Sequence, residues 1–176
     1  MRQRILITLS VATVALAITA AAIASSTLTT TATVAGTAGI SLNLPSNPSI
    51  SDTIDGTDQT VSYSPILGVV DARGTGAGWN LTISATALTD GTHNLTQTVS
   101  SVSSACHAGS TCTAGTSSGI TYPLTVSTTA AKFFNAALTT GLGKVDVTPT
   151  VQVAIPGNSY AGTYTSTVTL ASATGP

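Results

Sequence analysis

Along most of this 176-residue chain, apolar and polar positions alternate one for one. That is the period of a strand with one face on a core and the other in water. Ile40, Leu42 and Leu44 alternate with Ser41 and Asn43 until Pro45-Ser46-Asn47-Pro48 ends the run, because each proline fixes φ and removes a donor. Val61, Tyr63 and the run Ile66 to Val70 read as the next strands, parted by Pro65. Trp79, Leu81, Ile83 and Ala85 then share a parity against Asn80, Thr82, Ser84 and Thr86. Beyond the turn dipeptide Asp90-Gly91, Asn94 to Val102 is expected as an outer strand. Ile120, Tyr122, Leu124 and Val126 make another, and Pro123 places it at an edge or a bulge. The cleanest alternation comes last: Val145, Val147, Val151, Val153 and Ile155, the turn Pro156-Gly157-Asn158-Ser159, then Tyr160, Tyr164, Val168 and Leu170, read as a hairpin. One segment departs from this period. Ala131, Phe134, Ala137 and Leu138 recur at helical spacing, so one short helix is expected near 130–138, closed by Gly141 and Gly143. The pattern as a whole predicts an all-β fold, an antiparallel two-layer β-sandwich of Ig-like or related topology.

The beginning of the chain follows another rule. Arg2 and Arg4 precede an apolar stretch from Ile5 to Ile23 that ends in Ala22-Ile23-Ala24, the layout of a secretion signal over residues 1–24. Cleavage is expected after Ala24, with Ala20-Ala21-Ala22 as a neighbouring site. The stretch is also near the roughly 20 residues that span a bilayer, so an uncleaved anchor is the competing reading. Residues 25–33 form a flexible Ser/Thr-rich lead-in and 34–176 a single domain. Export decides how Cys106 and Cys112 are read: in an oxidising compartment they form a disulfide around His107 to Thr111, and their spacing matches no zinc site. Without the signal, Arg73, Lys132 and Lys144 face Asp52, Asp55, Asp58, Asp71, Asp90 and Asp146. So few scattered cations can neither follow a nucleic-acid backbone nor hold an anionic membrane once the signal is removed. Asp52, Asp55 and Asp58 lack the ligand spacing of a calcium loop and read as a solvated turn, so no metal is expected.

Composition singles out one stretch, Asp71-Ala72-Arg73-Gly74-Thr75-Gly76-Ala77-Gly78-Trp79-Asn80-Leu81-Thr82, with the one tryptophan and three alternate glycines. Such glycines mark backbone that bends tightly or passes close to something. Asp71 and Arg73 are expected to pair and fix the turn, with ligand contact beside Trp79 as the rival role. Trp79 itself reads either as core, by parity, or as a ring with one face bared by the glycines for a glycan or partner. At these residues the chain resembles the WxL-domain surface proteins of Gram-positive bacteria, whose Trp-x-Leu follows a run like Asp71-x-Arg73-Gly74-Thr75-Gly76. The likeness continues through Ala131 to Ala137, Gly141-Leu142-Gly143 and Tyr160 to Leu170, and closes at Gly175-Pro176. The family's second Trp-x-Leu stands here as Val168-Thr169-Leu170, so Val168 takes a tryptophan's place and is expected to serve in packing alone. The resemblance implies a secreted protein of the cell wall or cell surface, attached non-covalently to peptidoglycan and assembled with other surface proteins. It makes Trp79, Leu81, Asp71, Arg73 and Leu170 the candidate wall- or partner-binding residues. No Leu-Pro-x-Thr-Gly signal is present, which agrees with non-covalent attachment.

Catalysis finds little to work with. The chain has no glutamate, His93 and His107 fall in expected loops, and no Gly-x-Ser-x-Gly turn selects one serine among many. Neither an enzyme nor a cofactor is expected. Two other non-catalytic readings stand beside wall attachment: a fibre or coat subunit joined by strand pairing, and a glycan-binding module that stacks an exposed aromatic on sugar.

Overall fold

The alternation seen in the sequence becomes strands in the computed structural model, which describes residues 30–37 and 39–176. In chain order they are β1 (Ile40–Asn43), β2 (Gln59–Tyr63), β3 (Leu67–Asp71), β4 (Trp79–Ala85), β5 (Leu88–Thr89), β6 (Asn94–Cys106), β7 (Leu124–Thr125), β8 (Ala131–Ala136), β9 (Gly143–Ile155) and β10 (Val168–Thr174). All pairings are antiparallel. The larger sheet runs β1-β3-β9-β6-β5, with β2 also on β9 and β7 on β6; the smaller runs β10-β4-β8. Val34–Pro176 is one compact unit. The expected signal and most of the lead-in lie outside the described residues.

Strand β9 is the axle of the larger sheet. On one side β6 follows it from Thr96 opposite Ala154 to Cys106 opposite Val145. On the other side β2 and β3 lie end to end, Tyr63 facing Val151 and Leu67 facing Val147. Pro149, with no N–H to give, falls where the ladder is already broken: β6 bulges between Val99 and Ser101, and β2 gives way to β3 across Ser64 to Ile66. Val145, Val147, Val151 and Val153 turn inward with Leu67, Val69 and Val99 onto Trp79, Leu81, Ile83, Phe133, Phe134 and Ala136 of the smaller sheet. The larger of these side chains stabilise the fold by about 1.5–3 kcal/mol each, which is why so charge-poor a chain collapses into two layers.

Four expectations are corrected. The run near 130–138 is strand β8, not helix, and no helix occurs among the described residues. Its period looked helical because a bulge opposite Leu81 and Thr82 lets the adjacent Phe133 and Phe134 both point inward. Strand β6 is not an outer strand: it reaches Cys106, and β5 and β7 cover part of its far edge. The bulge at Ser100 moves its inward parity from Val99 to Val102, hiding its length in the sequence. The strand expected from Ile120 to Val126 shrinks to Leu124–Thr125, because Pro123 cannot donate and Tyr122 instead gives its hydroxyl proton to the Phe133 carbonyl. The final hairpin does not form. The Pro156 to Ser159 turn is present, but β2 already fills that edge of β9, so the chain crosses over and β10 pairs with β4.

The Cys106–Cys112 disulfide closes a loop at the end of β6. The loop is also stitched to β9, His107 N–H donating to the Lys144 carbonyl at 3.0 Å and Lys144 N–H to Ser110 Oγ at 3.0 Å. Replacing both cysteines by serine should therefore lower stability in urea denaturation by about 2 kcal/mol or less and leave the sheets intact.

Candidate functional site

The glycine-rich stretch carries the chain from the end of β3 in one sheet to the start of β4 in the other. Its geometry is set by Arg73. The guanidinium grips Asp71 with both arms, Nε to Oδ1 and Nη2 to Oδ2, each at 2.8 Å. Nη2 also donates to the Gly78 carbonyl at 2.8 Å and Nη1 to Thr174 Oγ1 on β10 at 2.9 Å. Asp71 is fully buried and the Arg73 side chain is 9% exposed, so the pair is a charged clamp between sheets rather than a surface ion pair. The donors of Arg73 hold the Asp71 carboxyl below its ordinary value, against the opposing effect of burial.

Gly78 and Gly141 then let Trp79 close against neighbouring backbone. At Gly78, φ is +71° and a Cβ would lie 2.4 Å from the Ala136 carbonyl oxygen; at Gly141, φ is +75° and a Cβ would lie 2.3 Å from the indole nitrogen. No other residue fits either place. Trp79 is 0% exposed, its indole N–H donates to the Gly141 carbonyl at 3.0 Å, and its ring lies 5.5 Å from that of Phe134. The bend is tied at further points, Gly175 N–H donating to Gly78 O at 3.1 Å and Thr139 N–H to Gly76 O at 2.8 Å.

Asp71, Arg73, Trp79 and Leu81 are thus brought together, three of them buried and the fourth nearly so. Leu170 is half-buried against the same core, opposite Ile83. Val168 does not pack as expected: at the start of edge strand β10 it is 39% exposed, so loss of its methyls would open no cavity. The three loop aspartates act as turn caps or ties: Asp52 accepts from Thr53 N–H, Asp55 from Thr57, and Asp58 from Gly157 N–H. Sequence reasoning missed one assembly altogether. His93 stacks on Tyr160 with centroids 3.9 Å apart, and its Nδ1–H donates to Asp90 Oδ2 at 3.0 Å. No short-range signal joins residues so far apart in the chain.

The clamp and the indole well account for the Asp-x-Arg-Gly and Trp-x-Leu residues together, and the family model described as WxL domain, surface cell wall-binding, matches residues 22–173. The chain belongs to this family. No curated protein and no solved structure matches it. Membership places the protein at the cell wall or cell surface and identifies it as a wall-binding module. In this WxL domain the first motif's tryptophan lies inside the fold, and the position of the second is a solvent-facing valine.

Two outcomes follow from this geometry. Arg73→Ala strands a buried carboxylate and should cost about 3–5 kcal/mol at neutral pH. In the parent, Asp71 has a depressed folded pKa, so its contribution is present above about pH 4 and is lost as pH falls through the depressed value. In the variant the unpaired, buried Asp71 has a raised pKa and is relieved by protonation. Denaturation midpoints between pH 3 and 7 should therefore converge toward acid, and a constant gap would refute the clamp. Trp79→Phe removes the donor to Gly141 and should cost about 1–3 kcal/mol, read as a lower melting temperature, with wall retention of the folded fraction unchanged.

Proposed function

We propose that this domain holds its carrier on the cell surface by binding peptidoglycan non-covalently, without catalysis. The observation that carries the reading is the match of a surface cell wall-binding model to nearly the whole chain. The chemistry agrees. The most extensively hydrogen-bonded charged pair, Asp71 with Arg73, is closed off from solvent and held within the fold. Charged residues are 6% of the sequence, so attraction to the wall depends on neutral hydrogen bonding and apolar contact rather than on a field of charge.

In this reading Asp71, Arg73, Trp79, Leu81 and Leu170 act through the fold: they hold the two sheets at one angle and so fix the exposed loops and outer faces that touch the wall. Association with other surface proteins is a second step of the same function. Its material is the edge strand β10, which pairs only with β4 within its sheet.

The test is co-sedimentation of the folded protein with purified insoluble peptidoglycan. Retention that survives high salt and is released by chaotrope without proteolysis is expected. Sedimentation as polymer in the absence of wall would instead identify a fibre or coat subunit.

A further inference from the structure

Aromatic side chains are few in this protein, and the structure buries most of them. Trp79, Phe133 and Phe134 are in the core, and Tyr63 and Tyr122 pack against it. Tyr160 is 63% exposed. It lies in the crossing between β9 and β10, where no strand holds it, yet it is tightly placed. His93 stacks on one ring face, 3.9 Å away and 13° from parallel. His93 is fixed in turn by Asp90, whose Oδ1 accepts the His93 N–H at 2.7 Å and whose Oδ2 meets Nδ1 at 3.0 Å. Thr89 and Thr165 exchange backbone hydrogen bonds of 3.0 and 2.9 Å, joining the His93 turn to the Tyr160 crossing. Tyr164 donates its hydroxyl proton to the Tyr160 carbonyl at 2.9 Å and braces the crossing from within. Burial gives no reason for this arrangement, since the ring stays in water.

We propose that Tyr160, backed by His93, is the platform on which the domain stacks an N-acetylated sugar of the wall glycan. The apolar C–H face of a pyranose fits the ring face that His93 leaves free, and hydroxyl and acetamide groups at the sugar's rim find partners in His93 Nε2 and the Tyr160 hydroxyl. The preordered stack means that little side-chain entropy is lost on binding. The chemistry selects a neutral glycan over a phosphate-bearing wall polymer. Among the described residues no Lys or Arg takes part in the platform, and Asp90, held well below the ordinary carboxylate range by hydrogen bonds from the His93 backbone, the His93 ring and Thr92, stays ionised and repels anions.

The proposal rests on wall attachment for its ligand, and two experiments separate the two claims. The first is co-sedimentation with peptidoglycan stripped of phosphodiester-linked polymers. Tyr160→Ala should weaken retention about tenfold or more, and Tyr160→Phe by no more than about threefold, with unchanged melting for both. Wild-type retention that Tyr160→Ala leaves intact overturns the platform and keeps the function, whereas retention that disappears with the stripped polymers overturns both. The second is titration with soluble N-acetylglucosamine oligomers, followed by NMR at the histidine ring protons. His93 signals should move while those of His107, which pairs with Asp146 at the far end of β6, do not. Still His93 signals overturn the platform whatever the wall does. Moving His93 signals without wall retention support the platform and overturn the function.

Discussion

A guanidinium buried against a carboxylate holds this sandwich closed at one end. Arg73 reaches Asp71 at the end of β3, the Gly78 carbonyl before β4 and Thr174 on β10, so one side chain spans both sheets. A pair this deep loses its hydration, and it is tolerated because nearly every donor of the fork has a partner. The indole well forms just beyond it. Trp79 can enter only because the bend leaves bare backbone at Gly78 and Gly141, and its N–H is satisfied there rather than by water. The Asp-x-Arg-Gly and Trp-x-Leu residues are thus successive parts of one closure. The motif that names the family is, in this domain, architecture.

The sequence revealed whatever follows strict alternation and concealed whatever breaks it. Strands β3, β4 and β9 were legible because Leu67, Trp79 and Val145 each begin an uninterrupted inward parity. Strands β6 and β8 were misread because each has a bulge: one extra residue inverts the parity, and two adjacent phenylalanines then imitate a helical face. The final hairpin was misread for a topological reason. Local pattern shows that Tyr160 to Leu170 follows a turn, but not that β2, a hundred residues earlier, occupies the edge. The Asp71–Arg73 pair was legible because its partners are two residues apart. The stack of His93 on Tyr160 was not, since only the folded chain joins them.

For function, the division of labour matters more than any single residue. Burial removes Trp79, Leu81 and Asp71 from direct contact, and what the domain offers the wall is an exposed surface poor in charge with one aromatic platform, Tyr160, held on it.

The central claim is that the family's tryptophan is structural and stays inside when the domain is on the wall. Because Trp79 is the one tryptophan in the chain, its fluorescence reports this alone. Acrylamide quenching should be measured on the free protein and on protein bound to peptidoglycan. Near-complete protection in both, with an unshifted emission maximum, is the expected result; ready quenching in the free protein that disappears on binding would show the ring to be the contact and contradict the account.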